Sequence, residues 1–312
     1  MENGNNQEVG MEINYEMDTD LALEAGECLT KKGETVDGIS LKEEEAEGGK
    51  VRITKVEIQN EDGAKRMGKP MGRYITLESL LLRGEEGKEA CASVLADYIE
   101  QLLPGKWKRI LAVGLGNREL TVDSLGPKVV DNLFMTYHHT GDGLCGLAPG
   151  VMAQTGMETA DIVKGIVGEI RPDAVIVVDA LAARSIHRLG TTIQLTDTGI
   201  APGSGVGNHR SSLTRESLGI PVVAIGVPMI VKAATIAYDT LSAVLQILQM
   251  EHSSKETGEK IAAFSPEEQY ELIQELLTPE AGTLCVTPKD IDELVYCIGE
   301  TISEGINMAV YP

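Results

Sequence analysis

Two aspartates stand where an open α/β sheet keeps its chemistry. Asp123 follows a short apolar run, Ile110 to Val113, and a glycine turn, Gly114-Leu115-Gly116-Asn117. Asp179 stands directly after a second run, Ala174-Val175-Ile176-Val177-Val178, rich in β-branched residues. Runs of this length without polar alternation fit strands buried on both faces. Two such strands, parallel in one sheet, would deliver both carboxylates to its carboxyl edge, where binding crevices form. Carboxyls that share a site cannot both ionise comfortably, so one keeps its proton. One can then take a proton from water while the other gives one to a leaving group, the division of labour that amide hydrolysis needs. Taken singly, either aspartate is as well explained by capping an orphan helix N–H. The pairing is what argues for chemistry.

Other reactive side chains have weaker claims. Ser124 lacks a Gly-x-Ser-x-Gly elbow and a histidine at a predictable position. Cys145 lies near His138 and His139, but nothing in the spacing fixes a nucleophile–base geometry, and adjacent histidines are not a zinc pattern. The segment 138–145 reads as a surface loop. Glu119 reads as part of an exposed charged face. The glycine-dense loop Gly199 to His209 evokes a dinucleotide fingerprint, yet no strand leads directly into it, and it reads as a mobile loop beside the cleft.

The elements that must hold Asp123 and Asp179 follow from periodicity. Val51 to Gln59 alternates as a half-exposed strand, and Tyr74 to Leu77 as another. Gly87 to Leu103 carries apolar residues at helical spacing and stops at Pro104-Gly105. A helix follows Asp123 through Phe134. Thr159 to Ile170 reads as a crossover helix into the strand before Asp179, a right-handed βαβ step. Ile193 to Leu195 and Val222 to Ile225 are further strands. Ala233 to Gln249 is a long apolar helix, Glu251 to Lys260 a charged linker, and Pro266 to Leu277 a helix. Thr287-Pro288 caps a last helix from Lys289 to Met308. The acidic run Glu43 to Glu47 reads as a solvated loop.

Composition sets the outer bounds. The chain has 312 residues, 42% hydrophobic and only 4% aromatic, so its core rests on Val, Ile, Leu and Ala. A formal charge of -21 argues against direct nucleic-acid binding. Five widely spaced cysteines, an odd count without CxxC, read as reduced thiols of a cytoplasmic protein. Neither a signal-peptide pattern nor an apolar run of membrane-spanning length is present in the sequence.

Four separated motifs, Gly114 to Pro127, Val178-Asp179-Ala180-Leu181-Ala182-Ala183-Arg184, Gly203 to Arg210 and Pro288 to Leu294, resemble those of the germination proteases of spore-forming bacteria. The resemblance implies an endopeptidase that degrades the small acid-soluble proteins coating spore DNA in the spore core. It also implies a homotetrameric zymogen that removes its own leader, without a cofactor. Catalysis in the family rests on two aspartates, which fall on Asp123 and Asp179. The fold implied is similar to that of the hydrogenase-maturation endopeptidases: α/β, phosphorylase/hydrolase-like, a mostly parallel sheet flanked by helices, with small N-terminal β additions and C-terminal helices. Those peptidases hold nickel at the corresponding acidic positions with a histidine. A metal-dependent peptidase using His187 or His209 as third ligand is therefore the second reading. A non-catalytic protein holding a small anion in its glycine loop is the third.

The resemblance also divides the chain into a leader, residues 1–20, and a single peptidase domain, residues 21–312. Thr19-Asp20-Leu21-Ala22-Leu23-Glu24 is similar to the family's substrate site, Thr-Glu followed by Phe or Ile, then Ala, Ser, Glu. Self-cleavage between Asp20 and Leu21 is the expectation, favoured by mild acid, with Arg118, Arg184 and Arg188 as candidate contacts for the acid before the cut. The same residues also read as a helix start with Thr19 as cap and Asp20 in the first turn.

Overall fold

The computed structural model describes residues 19–31, 37–82, 84–103, 105–201, 211–250 and 284–311. Among the described residues, nine strands form one sheet in the order β1-β2-β3-β7-β8-β6-β4-β5, with β9 pairing β8. They are β1 Ile39–Ala46, β2 Val51–Ile58, β3 Gly72–Glu78, β4 Arg109–Gly114, β5 Gly143–Leu147, β6 Ala174–Ala183, β7 Thr192–Thr196, β8 Val222–Lys232 and β9 Cys285–Val286. The half that carries both aspartates, β5-β4-β6-β8, is parallel. The other half, β1-β2-β3-β7, is antiparallel and joins β8 antiparallel through β7. This is the expected α/β sheet, with an antiparallel half larger than small additions.

Helices cover both faces. On one, α3 Glu85–Leu102, α4 Leu125–Asp131 and α10 Ile291–Val310 bury a continuous aliphatic core against Ile110, Ala112, Ile176, Val178, Val223 and Ile225. On the other, three smaller clusters stand apart. One packs α7 Thr159–Ile170 on Leu111, Val113, Val175 and Val177. The second packs α1 Ala22–Lys31 and α2 Glu61–Met67 on Val56, Ile58 and Tyr74. The crossover helix keeps its expected bounds, because Ala160, Val163 and Val167 repeat at the period that buries one helical face. Beside the polar residues Asp179 and Gln194, a third cluster gathers Leu181, Ala183 and Val231 around Leu21.

Several elements differ from expectation for identifiable reasons. The acidic run is not a loop but the outer strand β1, paired with β2 and exposed along most of its length. Glu43 and Glu44 pair with Arg52 and Lys55 across it, and charge on an edge strand discourages intermolecular pairing. His138 and His139 lie in a short helix, α5 Tyr137–Thr140, and Cys145 lies on β5 with its thiol on the Ile110 carbonyl. The helix after Asp123 ends at Asp131, short of Phe134. Thr287 caps nothing; its hydroxyl donates to the Met229 carbonyl, and α10 starts at Ile291. Thr19 and Asp20 precede α1, and Glu24 is the acid in its first turn. The linker and helix expected over 251–277 lie outside the described residues, as does most of the glycine-dense loop.

Candidate active site

The chain leaves β4 toward β5 on one side and continues from β6 toward β8 on the other, so a switch point lies between β4 and β6. Crevices open at such points, outside the carboxyl ends of the strands. Asp123 reaches it from a 3-10 turn, Thr121–Asp123, folded tightly under the end of β4. Gly116, at φ 111°, makes that fold possible: a Cβ there would sit 2.0 Å from the Asp123 carbonyl oxygen. Gly114 likewise allows the start of α4 to lie 2.1 Å from where its Cβ would be. Within the turn, the Asn117 N–H donates to Asp123 Oδ2 at 2.8 Å.

Asp179 does not end its strand. β6 runs on to Ala183, and Asp179 pairs with Gly226 of β8 inside the sheet. It is 6% exposed, and its Oδ1 accepts the Ala180 N–H at 2.9 Å. Burial pushes its carboxyl well above the ordinary aspartate range, the Asp123 charge adds to that, and Asp20 adds further. The two sequence-predicted acids therefore meet, and a third from the expected cleavage site joins them.

Residues 19 to 24 lie against this site. The Asp20 N–H donates to the Ala182 carbonyl (3.0 Å), and the Ala182 N–H donates to Asp20 Oδ2 (2.8 Å). Leu21 is fully buried among Leu181, Ala183, Val231, Leu189, Ile200 and Ile236. Ala22 donates its N–H to Gln194 Oε1 (2.7 Å), and Gln194 Nε2 donates to the Asp20 carbonyl (3.2 Å). Glu24, buried, accepts the N–H groups of Arg184 (2.8 Å) and Ser185 (2.9 Å) and the Thr19 hydroxyl. Lys69 Nζ donates to the Thr19 carbonyl at 2.6 Å. Asp20, Ala22 and Glu24 are thus bonded by main-chain groups or by a buried side chain, with Leu21 held in an apolar pocket between them.

The three candidate arginines have other carboxylates: Arg118 pairs with Asp131, Arg184 with Asp239, and Arg188 with Glu27 and Glu78. The acid of Asp20 accepts a main-chain N–H, that of Ala182. Sequence reasoning missed Gln194, Ala182 and Lys69. Gln194 had a signal, since its even-numbered face in Thr192–Thr196 is polar throughout while Ile193 and Leu195 face the core. Ser124 donates to the Thr121 carbonyl and is buried, and Glu119 is exposed. Burial raises the Cys145 thiol above its usual range, which disfavours a nucleophile. For the metal-dependent reading, His187 is exposed and His209 lies outside the described residues. Among the described residues, no three His, Cys, Asp or Glu side chains form a group that could hold a metal ion. No described helix is long and apolar enough to cross a membrane.

Fold and site define an α/β protein with two aspartates, one of them buried, at the switch point of its parallel strands. A family model described as germination protease matches residues 17–265. The germination protease of Caldanaerobacter subterraneus is 47% identical over 94% of both chains. Those of Clostridium perfringens and Priestia megaterium are 40% and 38% identical over about 95% of this chain. The chain belongs to the germination protease family and is a peptidase, a hydrolase of peptide bonds. Among solved structures, the NiFe hydrogenase maturation protease HycI of Thermococcus kodakarensis aligns at 23% identity, over 42% of this chain and 80% of that one, with a TM-score of 0.30.

Proposed function

We propose that this chain is an endopeptidase that begins the degradation of small acid-soluble spore proteins during germination. In this proposal it is made in the spore core as a zymogen that removes its own first twenty residues, and its assembly is the homotetramer implied by its family. The observation that carries this reading is the bonding of Asp20 to Ala182, beside Asp179 and Asp123. A chain that needed this segment only for packing would gain nothing from adding a third carboxylate to an already crowded pair, since like charges in a buried site cost free energy. A peptidase whose substrates carry an acid before the cut would need that contact.

The chemistry follows from the protonation states. Asp179, with its raised pKa, holds a proton in mild acid, and Asp123 is the partner left to act as base. Asp123 takes a proton from water, whose oxygen adds to the Asp20 carbonyl carbon. Asp179 supplies the proton that the Leu21 nitrogen needs when the C–N bond breaks. The products are an Asp20 carboxyl and a free Leu21 amine. Raising the pH through the Asp179 value removes that proton, so cleavage should slow from pH 5 toward alkaline pH.

Mass spectrometry of the purified chain over time tests this. The expected result is a new terminus at Leu21, at a rate independent of protein dilution because the segment lies in its own chain's site, and unchanged by EDTA. Cleavage of an added small spore protein by the processed form, stopped by Asp123→Asn, tests the activity in trans. A different terminus, or processing that persists in Asp123→Asn, refutes the assignment. Activity lost to chelator and restored by metal would favour the metal-dependent reading.

A further inference from the structure

One buried amide in this site has no part in the acid–base pair. Gln194, 5% exposed, sits at the middle of β7 in register with Gly226 of β8, which is itself in register with Asp179 of β6. Residues directly opposite on neighbouring strands share a face. Gln194 and Asp179 therefore project from the same side of the sheet, two strand spacings apart, with a residue lacking a side chain between them.

The two ends of its carboxamide bond on either side of one peptide bond. Nε2 donates to the Asp20 carbonyl at 3.2 Å, and Oε1 accepts the Ala22 N–H at 2.7 Å. The orientation of the amide is fixed by its partners, because only the nitrogen can donate to a carbonyl and only the oxygen can accept an N–H. Both partners are main-chain groups present in any peptide. The carbonyl that receives Nε2 is the one that water must attack if the chain is cut after Asp20.

We propose that Gln194 holds the peptide on both sides of the cleaved bond and that its Nε2–H stabilises negative charge forming on the carbonyl oxygen. This rests on the proposed cut between Asp20 and Leu21. A preorganised donor of that kind, in a site closed to water, acts where charge develops and costs no reorganisation during the reaction. Because its contacts are main-chain, Gln194 serves substrates of any sequence, while the contacts to Asp20, Leu21 and Glu24 read side chains. A purely structural glutamine, which only docks the segment, would have the same hydrogen bonds but no effect on the chemical step.

Gln194→Glu and Gln194→Met separate the two roles. Methionine keeps the size and loses both bonds. Ionised glutamate keeps the acceptor for Ala22 and loses the donor, and protonated glutamate regains one. Self-processing of full-length chains is followed by mass spectrometry at pH 5 and pH 7.5, and hydrogen exchange at the Ala22 amide is measured in an Asp179→Asn background. Q194M should process roughly 10²–10³-fold more slowly at both pH values, the scale of a lost oxyanion donor. Q194E should be about as slow at pH 7.5, with its deficit relative to wild type shrinking at least about fivefold at pH 5 as its carboxyl protonates. Ala22 should stay protected in Q194E and exchange at least about tenfold faster in Q194M, the scale of one lost hydrogen bond. Q194M processing within about threefold of wild type, a Q194E deficit that ignores pH, or unchanged Ala22 protection in Q194M overturns the proposal. If wild-type chains are not cut after Asp20, the proposed function falls, and with it the charge-stabilising role; the exchange arm still decides whether Gln194 holds the segment.

Discussion

Asp179→Asn should change activity and stability in opposite directions. The substitution is close to isosteric, and Asn keeps an Oδ1 for the Ala180 N–H now bonded at 2.9 Å. Its amide can donate toward the neighbouring carboxylates that Asp179 repels. What it removes is a carboxyl whose pKa is raised in the folded chain by burial, by Asp123 and by Asp20. An unfolded aspartate titrates near about 3.9. The sign follows from the two states. Below that pH both hold the proton and the group has no effect on folding. As pH rises, the unfolded chain releases its proton while the folded chain keeps it, so folding loses up to about 1.4 kcal/mol per pH unit until the folded value is passed. Between pH 4 and pH 7 the ceiling is about 4 kcal/mol. At roughly 2–4 °C per kcal/mol, the variant should melt several degrees above wild type at pH 7, and level with it near pH 4. Peptidase rate should fall by roughly 10²-fold or more. Differential scanning calorimetry across pH 4 to 7.5, on unprocessed chains, reads the first effect and mass spectrometry the second. A variant that melts below wild type at neutral pH, or a difference that does not grow with pH, would refute the account of Asp179 as a carboxyl held against its own stability.

Three further substitutions test how residues 21 to 24 are held. Leu21→Ala empties a fully buried site and should weaken docking of the segment by about 2 kcal/mol, so the Ala22 amide should exchange roughly 30-fold faster; a change under threefold would place Leu21 outside its pocket. Glu24→Gln loses the charge accepting the Arg184 and Ser185 N–H groups, worth about 2 kcal/mol, and should lower Tm by roughly 4–8 °C at pH 7. Gly226→Ala would put a Cβ 2.3 Å from Leu181 Cδ1, forcing that side chain toward Leu21 at a cost of about 1–3 kcal/mol. Urea titration should show that loss, and self-processing should slow with it; a neutral substitution would mean Leu181 moves elsewhere.

The parts of the fold visible in the sequence are those with one buried face or two. The crossover helix 159–170 and the strand cores at 110–113, 174–178 and 222–225 each sit on an aliphatic period that only one geometry can bury. The parts that stayed hidden are held by backbone rather than by apolar side chains. β1 pairs along eight residues with β2 while exposing Leu41 to Glu45. The Gly-rich β5 offers no pattern beyond Leu144 and Leu147. The extension of β6 through Ala180-Leu181-Ala182-Ala183 is written in residues that favour helix, and only pairing with β8 past a register shift makes it strand.

That hidden extension supplies a contact to Asp20 that residue types alone do not display. The acid of Asp20 was expected to meet a cationic side chain, because charge complementarity is the only complementarity that residue types display. A strand extended past its aspartate offers something else, an N–H at Ala182 fixed in place by the sheet. A main-chain donor recognises a carboxylate without adding a cation beside Asp179, and a cation there would pull the raised carboxyl back toward ionisation. Recognition of an acidic residue disturbs an acid-dependent pair least where neutral groups carry it. Ala182 for Asp20, the Arg184 and Ser185 amides for Glu24, and the Gln194 carboxamide for the peptide between them all meet that condition. The alanines after Asp179 thus supply, through the Ala182 N–H, a neutral donor to the acid of Asp20.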